Sequence, residues 1–104
     1  MKRAYIAGPM THLPDLNFPA FNAAAAALRR AGFEPINPAE INPDPTVEWA
    51  VCMRHDIAQL VTCDLIVTLP GWERSKGASL EVFIAERLEM PRMTLQSALL
   101  SGVA

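Results

Sequence analysis

Short apolar runs alternate along this chain with longer stretches of helical periodicity, and this alternation restricts the fold more than any other feature. Residues 4–7, 33–36 and 64–69 are predicted strands, and residues 91–95 are a plausible fourth. Because these strands are nearly continuous apolar runs, both faces of their sheet are expected to be buried. Strands that alternate with helices of ten or more residues indicate a parallel α/β sheet with crossover helices.

Three segments have the helical pattern: residues 19–32, about 47–62, and 76–88. Pro19 suits the first turn of its helix, and Gly32 is a typical helix stop. Thr46 is expected to cap the second helix. Residues 37–45 are predicted to be a loop, because three prolines within eight residues bar regular structure. The tail through Ala104 is weakly helical.

Length, charge and composition exclude several classes of function. The 104 residues form one domain, whose small core favours a homo-oligomer. A net charge of −2 without clustered Lys and Arg argues against a nucleic-acid polymer as partner. No apolar run approaches the roughly 18 residues of a membrane span, and the first residues do not resemble a signal peptide.

The cysteines and histidines do not form a metal-binding pattern. Cys52 and Cys63 lie eleven positions apart, with no further Cys or His at ligand spacing. His12 and His55 also lack spaced partners. We therefore expect reduced thiols, a cytoplasmic protein, no metal and no cofactor.

Residues 69–81 contain the most informative motif: a strand end, a Gly-bearing loop, a hydroxyl with cations, and a carboxylate in a helix. Ser75, between Arg74 and Lys76, either receives a phosphate at the helix N-terminus or serves as an ordinary N-cap. Trp72 either stacks on a nucleobase or covers the crevice. The helix dipole is expected to keep Glu81 ionised, and so to suit it to attack rather than to proton donation.

Glu81 is predicted to point into the protein, because its helical neighbours are small or apolar. These neighbours are Gly77, Ala78, Ile84, Ala85 and Leu88. Burying a carboxylate costs free energy, so its position requires a structural or functional explanation. The alternatives to a catalytic role are an ion pair with a nearby Arg and a cap near the helix start.

Asp56 has the same character on the second helix. At 100° per residue it falls in the middle of the apolar face with Cys52 and Leu60, whereas Arg54 and His55 lie outside that face. A buried structural salt bridge is the alternative explanation. Two inward carboxylates on different helices suit glycosyl chemistry, in which one attacks the anomeric carbon and the other manages the leaving-group proton.

The loops that follow the strands are expected to meet at one crevice, because ligands of open α/β sheets lie beyond the carboxyl ends of the strands. These loops begin with Gly8-Pro9, Asn37-Pro38 and Pro70-Gly71. Asn37 is either a polar contact in this crevice or part of the turn chemistry. Tyr5, next to the crevice, either orients a carboxylate through its hydroxyl or packs as a core aromatic.

Several short motifs together resemble one known group of proteins. They are Tyr-Ile-Ala-Gly-Pro-Met (5–10), Asn-Phe-Pro-Ala-Phe-Asn (17–22), Asn-Pro-Ala-Glu (37–40), Met-Arg-His-Asp (53–56), Leu-Pro-Gly-Trp-Glu (69–73) and Ser-Lys-Gly-Ala-Ser-Leu-Glu (75–81). The chain resembles a small, mostly uncharacterised branch of bacterial and phage proteins. That branch is similar to the nucleoside 2-deoxyribosyltransferases and the nucleoside 5′-monophosphate N-glycosidases.

This resemblance implies a flavodoxin-like (Rossmann-like) three-layer α/β sandwich with four or five parallel strands, as one domain over residues 1–104. It also implies cleavage of the bond between a base and a (deoxy)ribose. Glu81 resembles the family nucleophile, Asp56 the residue that contacts base or sugar and assists proton transfer, and Tyr5 the residue that holds the nucleophile. Ser75 resembles the serine that accepts a 5′-phosphate in the monophosphate hydrolases.

The leading hypothesis is therefore cleavage of a (deoxy)nucleoside 5′-monophosphate through a glycosyl-enzyme on Glu81. The alternatives are base exchange by a nucleoside 2-deoxyribosyltransferase and a nucleotide-binding module without turnover. The predicted substrate contacts are Gly8, Pro9, Asn37, Gly71, Trp72, Ser75, Lys76 and Gly77. The chain departs from the transferases in its shorter length and in lacking their extended C-terminal segment.

Overall fold

The predicted strands form one parallel sheet in the computed structural model, which describes residues 1–102. The strands are β1 (Arg3–Ala7), β2 (Glu34–Ile36), β3 (Leu65–Thr68) and β4 (Arg92–Thr94). Their order is β2-β1-β3-β4, so β1 and β3 lie in the centre. In the register of β1, Tyr5 lies opposite Ile36 of β2 and Ile66 of β3.

Five helices connect or follow the strands: α1 (Phe18–Arg30), α2 (Pro38–Ile41), α3 (Trp49–Leu60), α4 (Lys76–Arg87) and α5 (Leu95–Leu100). Short 3₁₀ turns at Pro14–Asn17 and Trp72–Arg74 precede α1 and α4. The helical tail is confirmed as far as α5, and residues 103–104 of that prediction lie outside the described residues. Within residues 1–102, no helix combines the length and apolar character needed to cross a bilayer.

The segment after β2 differs from its predicted loop, because it contains α2. Asn37 caps this short helix, since its side-chain Oδ1 accepts a hydrogen bond from the backbone N–H of Ala39 at 3.0 Å. Pro38 occupies the first turn, where a missing N–H costs nothing. Proline content therefore excluded a long helix here, but not a single capped turn.

Helix α3 also begins later than predicted. Its N-cap is Glu48, whose side chain makes no capping hydrogen bond. Thr46 does not cap the helix, because its hydroxyl donates a hydrogen bond to Asp44 Oδ1 at 2.7 Å. The polar residues before α3 are thus satisfied within their own turn, and the helix begins with Trp49.

Two apolar layers enclose the sheet and make the predicted three-layer sandwich. Ala4 and Ile6 face one layer, which includes buried side chains of α1 and Ala98 of α5. Tyr5 and Ala7 face the other layer, which includes residues of α3 and α4. The alternation along β1 follows from the two-residue period of a strand. It directs Tyr5 toward the helices that carry both candidate carboxylates.

Candidate active site

A cavity of about 210 Å³ opens at the carboxyl end of β1, between α3 and α4. Both predicted catalytic carboxylates, Asp56 and Glu81, line it. Most of its remaining wall is apolar and includes Met10, Phe18, Phe21, Val47, Trp49 and Met53. A small cavity with aromatic walls and few polar groups suits one small organic molecule rather than a polymer.

Glu81 lies at the base of this arrangement and is only 4% exposed. The hydroxyl of the fully buried Tyr5 donates a hydrogen bond to Glu81 Oε2 at 2.5 Å. Tyr5 is therefore both a core aromatic and the partner of this carboxyl group. Because Oε2 is engaged, Oε1 is the oxygen of Glu81 that remains for a ligand.

The ionisation expected for Glu81 is wrong, because burial raises its pKa to about 8. The Tyr5 hydrogen bond lowers this pKa, and the nearby charge of Asp56 raises it. Glu81 is the sixth residue of α4, beyond the first turn, within which the helix dipole acts most strongly. Desolvation therefore outweighs the dipole, and the protonated form dominates near neutral pH.

Asp56 reaches the cavity from α3 and is 6% exposed. Burial raises its pKa to about 7, and a hydrogen bond from Asn42 Nδ2 to Oδ1, at 2.8 Å, lowers it. Arg54 and His55 are exposed, as the helical pattern predicts. Asp56 and Glu81 thus titrate close together, near physiological pH, in one site.

Neither carboxylate belongs to an ion pair in the part of the chain that the structure describes. The ion pairs found there join Arg3 to Glu34 and Arg92 to Glu86. The structural salt bridges considered as alternatives for Asp56 and Glu81 are absent from residues 1–102. Two buried carboxyl groups without a cation are costly to the fold, which indicates a functional reason for their placement.

Replacing Tyr5 with Phe should raise the pKa of Glu81 above its wild-type value, because the hydroxyl stabilises the ionised carboxylate. NMR titration of isotope-labelled glutamate side chains measures this shift directly. An unchanged Glu81 pKa in the variant would contradict the orienting role of Tyr5.

Ser75 combines the two roles that the sequence left open. It caps α4, because its Oγ accepts a hydrogen bond from the backbone N–H of Ala78 at 3.1 Å. It also lines the cavity, where its hydroxyl hydrogen can point toward a ligand. The cap therefore does not exclude Ser75 from ligand binding.

Two glycines line the cavity at points where neighbouring side chains approach the backbone closely. A Cβ at Gly8 would lie 2.8 Å from the Cβ of Leu69. A Cβ at Gly77 would lie 3.2 Å from Met53 Sδ. Gly77 therefore allows α4 to approach α3 closely, which brings the two carboxylates to one cavity.

A neighbouring cleft contains the remaining predicted contacts of this region. Pro9, Gly71 and Lys76 line it together with Arg74, and Ser75 and Trp49 belong to both the cleft and the cavity. The Lys76 Nζ lies 4.4 Å from the centroid of the Trp49 ring, a cation–π contact. The side chains of Arg74 and Lys76 thus lie beside the cavity and are not part of its wall.

The structure does not bring Asn37 and Trp72 to the cavity, which corrects their predicted roles. Asn37 is 2% exposed, and its side chain is used for the α2 cap and for donation to Asn22 Oδ1 at 3.0 Å. Trp72 packs beside the Tyr5 layer and lies 5.1 Å from the Arg92 guanidinium. Asn37 therefore has the alternative role that was considered for it, as part of a turn. Trp72 lines a separate groove.

Several residues of the cavity wall were outside the predicted set, and two of them bear on its chemistry. Asn42 contacts Asp56, and Trp49 forms part of the apolar wall. Asn42 lies in the segment predicted to be a loop, and Trp49 lies near the start of the second predicted helix. The available signal was their position after β2, because residues 37–48 connect the carboxyl end of this strand to α3, and Trp49 is the first residue of α3.

Two solved structures have folds similar to that of this chain. The chain is 20% identical to a 2-deoxyribosyltransferase from Bacillus psychrosaccharolyticus, with a TM-score of 0.68 over 88% of this chain and 70% of that enzyme. It is 26% identical to a 2-deoxyribosyltransferase from Leishmania mexicana, with a TM-score of 0.68 over 90% of this chain. The match spans 63% of the Leishmania enzyme, so less than two thirds of its length.

These similarities confirm the predicted flavodoxin-like α/β fold and the resemblance to the 2-deoxyribosyltransferases. A comparison with curated proteins finds no match. A family model described as "Domain of unknown function (DUF4406)" matches residues 2–94, which is most of the sequence. The chain therefore belongs to the DUF4406 family, with the fold of the 2-deoxyribosyltransferases.

Proposed function

We propose that this protein breaks the N-glycosidic bond between a nucleobase and a (deoxy)ribose, through a covalent glycosyl-enzyme on Glu81. One observation carries the proposal: the buried Glu81, held by Tyr5, shares a cavity with Asp56 from the neighbouring helix. The similarity to two 2-deoxyribosyltransferases supports it. The activity would therefore be glycosyl transfer to a second base or to water.

In the proposed first step, Glu81 Oε1 attacks C1′ of the sugar. The C1′–N bond breaks, its electron pair leaves with the base, and Asp56 supplies the proton that neutralises the base. Tyr5 keeps Oε2 in place during the attack. In the second step, an acceptor base or water attacks C1′ from the side opposite Glu81 and gives its proton to the Asp56 carboxylate. The C1′–Oε1 bond breaks and frees ionised Glu81, so the configuration at C1′ is retained.

The protonation state that this chemistry needs is the less populated of two states in which the carboxyl pair holds one proton. Attack requires an ionised Glu81 and a protonated Asp56, whereas the values of about 8 and about 7 favour the opposite placement of a single shared proton. A difference of about one pKa unit corresponds to roughly 1.4 kcal/mol. That is small beside the roughly 8–23 kcal/mol by which enzymes lower barriers, so the reactive form is accessible.

The wall of the cavity favours an aromatic ligand group. Phe18, Phe21 and Trp49 supply flat apolar surfaces, and Met53 supplies a polarisable one. A planar base can pack between such surfaces while its sugar reaches Glu81. Among the possible leaving groups, a nucleobase fits this cavity better than a second sugar, which would require more polar contacts.

A second observation favours a 5′-monophosphate as the substrate. Ser75 begins α4, lines the cavity and is flanked by Arg74 and Lys76. A helix N-terminus with a hydroxyl and two cations suits a phosphate group. In this form of the proposal, the protein hydrolyses a (deoxy)nucleoside 5′-monophosphate rather than exchanging bases between free nucleosides.

A panel of nucleosides and their 5′-monophosphates tests the proposed function. Each compound is incubated with the wild-type protein, with and without a second base, and free and exchanged bases are separated by chromatography. Free base without acceptor indicates hydrolysis, and a new nucleoside with acceptor indicates transfer. Ligand-induced thermal shifts without product at any protein concentration would leave a binding module and overturn the enzymatic proposal.

Substitution of Ser75 tests the phosphate contact. Ser75→Ala should raise KM for a monophosphate about tenfold, since one hydrogen bond to a charged group contributes roughly 1.5–3 kcal/mol. It should leave the rate on the matching nucleoside unchanged. Ser75→Asp keeps an N-cap but adds a negative charge, so it should impair monophosphate cleavage more than the Ala variant. Equal losses on nucleoside and monophosphate would contradict the contact.

A further inference from the structure

We infer that Asn42 is a positioning residue, which engages Oδ1 of Asp56 and so directs the acidic proton to Oδ2, the oxygen that faces the leaving base. This role rests on the proposed function of the site. Asn42 lies directly after α2, is half-buried and lines the same cavity as Asp56. No role was expected for it from the sequence.

The hydrogen bond between the two side chains has a defined direction. Asn42 Nδ2 can only donate, and it lies 2.8 Å from Asp56 Oδ1. In a neutral carboxyl group the carbonyl oxygen accepts hydrogen bonds better than the hydroxyl oxygen does. The carbonyl character therefore falls on Oδ1, and the acidic hydrogen of Asp56 falls on Oδ2.

The second oxygen of Asp56, Oδ2, is accessible, and Asp56 is a residue of the cavity wall. Within residues 1–102, the hydrogen bond from Asn42 is the one found on the Asp56 side chain. The same part of the chain contains no sealed side-chain oxygen without a partner, so Oδ2 remains accessible. A base in the cavity can thus receive its proton from Oδ2 without displacing Asn42.

His55 contacts the other end of the Asn42 amide. Its ring Nδ1 lies 2.9 Å from Asn42 Oδ1. An amide oxygen only accepts, so this contact requires a His55 tautomer that carries hydrogen on Nδ1. With Oδ1 held by His55, Nδ2 is directed to Asp56. Two successive residues of α3 therefore bind opposite ends of one amide.

A purely structural role for Asn42 has a different signature. Its Nδ2 also lies 3.4 Å from the backbone oxygen of Cys52, so the side chain helps to attach residues 42–48 to α3. A loss of this attachment would disturb binding and stability in general. A positioning role instead changes the titration of Asp56, near which Tyr5, Cys52 and Glu81 are further titratable groups.

The test compares Asn42→Ala with Thr46→Val, a matched control in the same segment. Thr46 is exposed and donates to Asp44, so its loss loosens the segment without touching Asp56. NMR titration of labelled aspartate side chains should show a raised Asp56 pKa in Asn42→Ala and the wild-type value in Thr46→Val. His55→Ala should give an intermediate value.

Kinetics provide the second readout. Asn42→Ala should lower kcat about tenfold with little change in KM, because the proton donor is misdirected while the cavity wall stays intact. Asn42→Asp, which preserves shape, should raise the Asp56 pKa further through like charge and covers the case in which the Ala variant does not fold. An unchanged Asp56 pKa in both variants, or equal effects in Thr46→Val, would overturn the inference.

The two proposals fail in distinguishable ways. If no substrate yields free or exchanged base, the proposed function fails, while the titration of Asp56 still decides whether Asn42 controls its proton. If base is released but the Asp56 pKa does not respond to Asn42, the positioning role fails alone.

Discussion

Replacing Glu81 with Gln is expected to reduce base release by at least about 10³-fold, because an amide oxygen cannot replace a carboxylate as nucleophile. Gln has the same shape, and its side-chain oxygen can still accept the hydrogen bond from Tyr5. Ligand binding should therefore survive. Chromatography of the released base, with isothermal titration of the unreacted ligand, separates these two effects.

The same variant should be more stable than the wild type at alkaline pH. The pKa of Glu81 is about 8 in the folded protein, against 4.5 for an ordinary glutamate. Between these values the unfolded state binds fewer protons, so wild-type stability falls as pH rises through this window. The amide of the variant does not titrate. The Tm of the variant should equal that of the wild type at about pH 5 and exceed it by several degrees at about pH 9.

Glu86→Gln is the matched control for this experiment. Glu86 lies on the same helix, is exposed, and approaches Arg92 only to 3.9 Å. Its variant should retain activity and show no pH-dependent gain in Tm. A loss of stability in Glu81→Gln at both pH values would instead indicate that the Glu81 side chain has a mainly structural role, through its hydrogen bond with Tyr5.

Replacing Asp56 with Asn should lower kcat by about 10²–10⁴-fold, the usual contribution of general acid catalysis. The loss should be smallest for substrates whose base leaves readily without a proton. Asp64→Asn is a suitable control, because Asp64 is exposed and accepts a hydrogen bond from the Arg3 backbone at 2.7 Å. Equal rates in wild type and Asp56→Asn would exclude Asp56 as the acid.

The pH profile provides a second measurement on Asp56. Wild-type kcat/KM should be bell-shaped, with its maximum between about pH 7 and about pH 8, where the carboxyl pair holds one proton. The acidic limb reports loss of the ionised nucleophile, and the alkaline limb reports loss of the proton donor. Asp56→Asn should lose the alkaline limb and keep the acidic one. A profile with both limbs intact would contradict this assignment.

Helical periodicity was sufficient to orient both carboxyl groups. The neighbours of Glu81 and Asp56 at three and four positions along each helix are mainly small or apolar, and both residues are buried in the structure. The parallel sheet followed from strands that alternate with helices. The contact between Tyr5 and Glu81 required more, because periodicity within one element says nothing about which element lies opposite.

The errors share a physical cause, which is that local sequence does not reveal three-dimensional surroundings. The ionisation of Glu81 was argued from its helix alone, whereas desolvation by the whole fold raises its pKa. The role of Asn42 could not be predicted from the sequence, because it depends on contacts with His55 and Asp56, which lie on another helix. Asn37 and Trp72 stand in motifs of the site, yet their side chains are occupied by capping and packing.

The hydrogen bond between Tyr5 and Glu81 joins residues 76 positions apart in the chain. Tyr5 belongs to β1, which pairs with both β2 and β3, so most of the sheet must assemble before its hydroxyl is in place. Contacts of such long sequence separation form slowly, since the intervening chain must be ordered first. The hydrogen bond that holds the proposed nucleophile thus forms only when β1 and α4 are both in place.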